Sequence, residues 1–200
     1  MADILLAAFA AVFSLLVGAG NDGEPDWIPV QDCRAAVEEF NAVNAKVRRI
    51  ECAFREEKHI EVLEKPAVSE GTYNFSAPDT IRIEYLRPEK YSIHIYGGKL
   101  MFTSGGKTRT VDLASNRQFA SMSEFLTGGG LPSDRKDFRI RAWQTEGLYK
   151  FVVSLPKAAK GGDITVTVDR KDMSLVSFTM SQGSSDYSIF TFYDKTIAFK

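Results

Sequence analysis

Residues 80–113 read TIRIEYLRPEKYSIHIYGGKLMFTSGGKTRTVDL, and the alternation within this stretch decides the fold. Ile81, Ile83 and Tyr85 share one parity while Arg82 and Glu84 share the other, and Ile93 and Ile95 alternate in the same way with Ser92 and His94. A pattern that changes face at every residue is that of a strand with one dry and one wet side. The breaks are Arg87-Pro88-Glu89, Gly97-Gly98 and Gly105-Gly106, all tight-turn sequences. Connections this short cannot hold a parallel crossover, so the strands run as an antiparallel meander.

The same period extends outward. Upstream, residues 50–56 and 69–76 read as strands, with Tyr73 and Phe75 alternating with Thr72 and Asn74; downstream, residues 138–143, 147–155, 164–168, 175–182 and 187–193 do the same. Two segments break the period. Between Arg34 and Arg48, Ala36, Val37, Phe40, Val43, Ala45 and Val47 recur at helical intervals, with Asp32 placed to cap the N-terminus. Residues 116–126 (NRQFASMSEFL) put Phe119, Met122, Phe125 and Leu126 on one helical stripe that Gly128-Gly129-Gly130 ends. The sum is about eleven antiparallel strands and about two amphipathic helices in one mainly β domain. A single curved sheet of that width encloses more volume than its own side chains need fill.

Composition agrees with one globular domain: 200 residues, 44% hydrophobic and 26% charged. Lys plus Arg (25) nearly balances Asp plus Glu (26), and the pI is about 6.2, which gives no field for tracking nucleic acid. Residues 4–19 (ILLAAFAAVFSLLVGA) are an apolar run without a charge or Pro, interrupted only by Ser14 and followed by GNDGEPD. The run is short of the ~20 residues a membrane span needs, and Val17-Gly18-Ala19 supplies small residues for cleavage. The expected organisation is therefore an export signal over 1–19, a leader over 20–30 and one domain over 31–200, with an uncleaved anchor as the alternative. The leading Met-Ala-Asp departs from the usual signal in lacking a basic residue. Cys33 and Cys52 fall near a helix start and inside the following strand, a helix length of roughly 20 Å apart, which favours two separate thiols over a disulfide.

Catalytic and metal signals are missing. There is no nucleophile elbow, phosphate-binding loop, His-Glu-X-X-His run or paired-cysteine ligand set. His59 falls in the charged stretch 55–59, read as solvated, and His94 falls on the wet face of its strand. Gly-Gly-Lys at 97–99 and 105–107 leads into no helix and reads as hairpin turn. Neither a cofactor nor a metal is expected, and the material left for function is apolar.

The order of an export-like run, an amphipathic helix, then IECAFREEKHI (50–60), LEKP (63–66), SEG (69–71), PDTIRIEY (78–85), Pro88 and Gly98-Lys99 resembles the LolA family of periplasmic outer-membrane lipoprotein carriers, closest to members from Bacteroidetes-like bacteria. The likeness runs from about Ala36 to Phe102 and continues collinearly through the 116–126 helix, Asp137-Phe138 and the last strands. It implies an unclosed barrel of eleven strands with helices over its opening, and a monomeric, non-enzymatic carrier in the periplasm. Its interior would take the acyl chains of lipoproteins from an inner-membrane ABC exporter and deliver them to an outer-membrane acceptor. On this reading the cavity is lined from the early strands by Phe54, Tyr73, Phe75, Ile81, Ile83 and Tyr85, then by Ile93, Ile95, Leu100 and Phe102, and from the late strands by Phe178 and Met180. Phe119, Met122 and Leu126 form its lid. Many family members carry an Arg before the Pro at position 78, where it helps hold the lid; here the residue is Ala77, so that lock is not inherited. Two other readings are a carrier of a different amphiphile, such as a glycolipid or pigment lipid, and an exported hydrolase using His59 or His94 as base.

Overall fold

The computed structural model describes residues 25–113, 130–133, 138–154, 162–181 and 185–200. Among these residues lie twelve strands and one helix. After β1 (Ile28–Pro29) comes the helix α1 (Cys33–Asn44), then the first run of strands: β2 (Val47–His59), β3 (Ala67–Ser76), β4 (Thr80–Arg87), β5 (Tyr91–Tyr96), β6 (Lys99–Ser104) and β7 (Lys107–Asp112). The second run is β8 (Arg139–Gln144), β9 (Leu148–Ser154), β10 (Ile164–Asp169), β11 (Leu175–Ser181) and β12 (Tyr187–Phe199). All twelve join one antiparallel sheet in the order β1-β8-β9-β10-β11-β12-β2-β3-β4-β5-β6-β7. The end strands β1 and β7 do not pair, which makes this an unclosed barrel.

The sheet is two meanders placed edge to edge. β2 to β7 and β8 to β12 each pair in sequence, and the seam between them is β12 against β2. The seam accounts for the length of both strands: β2 starts at Val47 rather than near residue 50 because β12 pairs with it from Phe199↔Val47 to Tyr187↔His59. β12 in turn runs past residue 193, where the predicted strand ended, through an irregularity at Asp194, whose φ is +51°. The eleven predicted strands all form. The twelfth, β1, lies in the stretch expected as a leader and pairs Ile28 with Gln144.

Local chemistry explains the turns and the helix. Gly97 and Gly98 have φ of +56° and +72°, and Gly105 and Gly106 have +54° and +74°, the double left-handed geometry of two-residue hairpins that a Cβ would oppose. Asp32 caps α1 by accepting the Ala35 N–H at 2.9 Å. The helix stops at Asn44 rather than reaching Arg48, because Val47 enters the β12 ladder and Lys46 N–H turns back to Val43 O. Val47 is buried in both settings, so helical spacing alone did not separate them. The second predicted helix, 116–126, and the apolar run 4–19 lie outside the described residues. Among the described residues no helix is long and apolar enough to cross a membrane.

Two apolar clusters fill the concave side. The first packs Ala36, Val37 and Phe40 of α1 onto Phe151, Val166 and Val168 of the β8–β11 half, with Phe40 and Phe151 centroids 5.7 Å apart. The second belongs to β2–β6 and centres on Phe54, Phe75, Ile81, Tyr85 and Ile95. Burying each of these side chains is worth about 1.5–3 kcal/mol. Phe190 and Phe192 of β12 touch both clusters. The wet face carries the alternate residues, including the ion pair Arg82–Glu84 at 2.6 Å, whose exposure makes it worth little.

Candidate functional site: an apolar cavity at the seam

A cavity of about 130 Å³ opens along the β12–β2 seam, between the two clusters. Its floor is Ile50, Cys52 and Phe54, on the inward parity of β2, together with Val47 at the start of that strand. One wall is Tyr73 and Phe75 of β3, Ile83 and Tyr85 of β4 and Ile93 of β5. The other is Leu175, Phe178 and Met180 of β11 with Phe190, Phe192, Ile197 and Phe199 of β12. Phe40 and Val43 close it from the last turns of α1, beside Gly130.

Aromatic contacts hold the walls in place. Phe54 meets Tyr85 edge-on at 5.0 Å and Phe190 at 5.8 Å, and Phe190 continues to Phe178 at 6.1 Å. Tyr73 meets Phe192 at 5.9 Å. Such pairs carry energy beyond their buried area, so these rings form a connected frame rather than a loose lining.

Of the residues expected to line the interior, Phe54, Tyr73, Phe75, Ile83, Tyr85 and Ile93 do so, as do Phe178 and Met180 from the other half. Ile81, Ile95 and Leu100 share the inward parity but lie outside the lining of this cavity. They stand in register with Phe75 across β3–β6, at 0%, 3% and 2% exposure, and pack with one another and Leu113. Phe102 lies half-buried, 5.4 Å from Tyr91. Parity separates inside from outside; position along the strand decides what faces the cavity, for Ile83 and Ile93 line it and Ile81 and Ile95, two residues away on the same strands, do not. The lid residues Phe119, Met122 and Leu126 lie outside the described residues.

The β12 and α1 lining was missed. Phe190 and Phe192 carry the same alternation as β3–β5, and Phe40 and Val43 lie on the predicted helix stripe, so these four were within reach of the pattern. Lys195, Ile197 and Phe199 were not, because the irregularity at Asp194 resets the parity of β12.

Charge enters the site at two places. At one end the Lys195 ammonium donates to Ser174 Oγ at 2.9 Å and to Leu175 O at 3.1 Å. Burial pushes the neighbouring Asp172 carboxyl up, but the Ser174 hydroxyl and N–H and the Lys195 charge outweigh it, holding Asp172 below its ordinary value. At the other end the charged stretch 55–59 is not solvated as expected. Glu56 and Lys58 share the inward parity of Phe54 and are 0% and 4% exposed. Burial drives Glu56 well above the ordinary carboxylate value, offset in part by the Tyr85 hydroxyl and the Lys58 charge, and neither of its oxygens has a formed hydrogen bond. Burial likewise lowers Lys58 to about 8, against the pull of Glu56 and Asp186.

Cys33 and Cys52 are both free thiols. Burial pushes the Cys52 thiol up to about 11 despite Lys195, so it stays protonated and unreactive at neutral pH. His59 stacks on Tyr187 at 4.2 Å, and His94 pairs in register with Arg82 and Met101 on the other parity of its strand from the inward Ile93 and Ile95.

No protein-family model matches the chain, and no curated protein matches its sequence. Solved structures do match. An uncharacterized conserved protein from Thermus thermophilus aligns with a TM-score of 0.50 at 9% identity, covering 84% of this chain and 88% of that one. A putative outer membrane lipoprotein-sorting protein domain from Vibrio parahaemolyticus aligns at 0.48 and 9% identity, over 80% and 89%. A LolA superfamily protein from Nitrosomonas europaea aligns at 0.45 and 8% identity, over 84% and 94%. The Thermus likeness, at such low identity, is one of fold: this chain shares that protein's architecture.

Proposed function

We propose that the chain is an exported, non-enzymatic carrier that takes the acyl chains of a lipoprotein into the seam cavity and moves them between membranes. The observation that carries this reading is the cavity itself, walled by aromatic and aliphatic side chains from both halves of an unclosed sheet. Each methylene removed from water gains about 0.8 kcal/mol, so acyl chains need such a host to cross an aqueous space, and the host must still release them. An inner-membrane ABC exporter as donor, an outer-membrane acceptor, a periplasmic location and a lid built from residues 116–126 complete the proposal. The resemblance in the 36–102 stretch supports them.

Size shapes the mechanism. At about 130 Å³ the cavity compares with the ~150 Å³ engineered void that holds one benzene. A long chain therefore enters only as wall side chains move, and Met180 and Leu175 are the adaptable members of a wall whose rings are Phe178, Phe190, Phe192 and Phe199. The test is displacement of a fluorescent fatty-acyl probe from the purified protein, followed by depletion in the host. Probe binding, together with retention of lipidated proteins in the inner membrane on depletion, is the expected result. A protein that excludes every amphiphile refutes the reading, and retention of a lipid rather than of lipoproteins redirects it to another cargo.

A further inference from the structure

Two residues beyond Phe54 on the same face of β2, the apolar wall gives way to a buried polar row. Glu56 pairs with Phe190 on one side and Ser69 on the other, Lys58 pairs with Ser188, and Ser188 pairs with Met180. Tyr85 pairs with Tyr91, their rings stacked at 4.2 Å, and the Tyr85 hydroxyl acts on both Glu56 and Tyr91. Phe54, Tyr85, Phe190 and Met180, which border this row, also line the cavity.

The row is unfinished as it stands. Both Glu56 oxygens, Ser188 Oγ and Tyr91 Oη are buried without a well-formed hydrogen bond, the Tyr85 hydroxyl standing near Glu56 and Tyr91 without completing one, and Glu56 and Ser188 are at 0% exposure. Buried polar groups in folded proteins are almost always satisfied, and under-satisfied atoms on both sides of Glu56, Ser188 from β12 and Tyr91 from β5, call for a partner. We propose that this row is a polar subsite for the uncharged ester or amide carbonyl of an acylated ligand whose chain lies against Phe54 and Phe190.

The chemistry selects that class. Burial favours the protonated Glu56 carboxyl, which can donate as the Tyr91 and Ser188 hydroxyls do, and a carbonyl oxygen accepts two hydrogen bonds. Lys58 repels an amine. Its charge is already faced by Glu56 and Asp186, which leaves little net attraction for a free carboxylate. The ester or amide carbonyl is the first polar atom beyond an acyl chain, so a chain in the cavity delivers it to the row.

This inference rests on the carrier reading, and the test separates the two. Four competitors of one chain length, a monoacylglycerol, the matching alkyl glycerol ether, an alkylamine and a fatty acid, are used to displace a fluorescent acyl probe from the full chain. The ester is expected to bind about tenfold more tightly than the ether, the difference one well-placed hydrogen bond supplies. Tyr91→Phe and Ser188→Ala should each narrow that gap and leave ether affinity unchanged, while Glu56→Gln, which keeps a donor, preserves most of it. These variants are checked for folding by circular dichroism, and the Tyr91 and Ser188 changes stand in should the Glu56 variant unfold. Equal ester and ether affinity overturns the subsite and leaves the carrier intact. Tightest binding of the amine or the fatty acid overturns it in favour of an ionic site. Failure of the probe itself to bind removes both.

Discussion

The ring of Phe54 lies across the backbone of Gly71: a Cβ on Gly71 would stand 2.7 Å from two carbons of that ring and 2.1 Å from the carbonyl oxygen of Glu84. Gly71 is opposite Phe54 on β2 and opposite Tyr85 on β4, next to a shift of register at Glu70. The missing side chain is what lets Phe54 reach over β3 to meet Tyr85 edge-on. The end wall of the cavity and the approach to Glu56 both depend on it.

Gly71→Ala is therefore expected to destabilise the protein by about 1–3 kcal/mol, because the methyl group meets backbone on one side and a ring locked by its neighbours on the other. Urea unfolding measures this. A midpoint unchanged from wild type would mean that Phe54 is free to move aside.

Glu56 gives a pH signature of definite sign. Its folded pKa lies well above the ordinary 4.5, so the native state holds the proton more tightly than the unfolded chain does. The stability this provides is complete below that ordinary value and is lost as pH rises toward the folded one. Lys58, lowered from 10.5 to about 8, acts on the alkaline side, where its contribution returns as pH climbs through that interval. Glu56→Gln, which cannot ionise, should match wild type in thermal unfolding at about pH 4 and melt higher at about pH 7.5. Matching curves at both values would show that the carboxylate is solvated.

Asn41 of α1 fastens the 130–133 segment. Its Oδ1 accepts the Leu131 N–H at 2.7 Å and its Nδ2 donates to Leu131 O at 2.9 Å, while Leu131 itself is 1% exposed in the helix-side cluster. Gly130 is at φ +73°, with Asn41 filling the place its Cβ would take. Asn41→Ala leaves the Leu131 N–H unpaired, with the Leu131 carbonyl still held by the Ser133 N–H, and should cost about 1–3 kcal/mol. Hydrogen exchange at the Leu131 amide, expected to quicken well beyond the global change, distinguishes loss of this fastening from general destabilisation.

Residues 80–113 revealed most of this architecture because their alternation and glycine-pair turns are local signals, and the strands they predict pair with their neighbours in sequence. The seam was not legible. Which edge of one meander meets which edge of the other depends on pairing Phe199 with Val47, residues distant in sequence, and no local pattern encodes it. The site shows the same limit. Parity found Phe54, Tyr73 and Ile83, yet it equally nominated Ile81 and Leu100, which stand at a different level along their strands and outside the cavity lining. It also hid Glu56 and Lys58 inside a charged run, where alternation with Arg55 and Glu57 was the clue: the odd residues pair with each other on the wet face at 3.2 Å, and the even ones face in.

Ile81 and Ile83, two residues apart on one face of β4, separate the stability of the wall from its function. Ile81 is 0% exposed within the β2–β6 cluster and lies outside the cavity lining, so Ile81→Ala should cost about 2–5 kcal/mol, as truncations of buried aliphatic side chains do, and leave probe affinity at wild-type level once the protein is folded. Ile83 is 9% exposed and faces the cavity. An indole there occupies the space between Tyr73, Phe54 and the β12 rings, so Ile83→Trp should fold and yet weaken acyl-probe binding about tenfold or more, since overpacking an open face is tolerated better than overpacking a closed one. Fluorescence titration of both variants, each with its unfolding curve, reads the two effects separately. Reversal of the pattern, with Ile81→Ala losing the probe and Ile83→Trp keeping it, would place the binding site under β4–β6 and away from the seam.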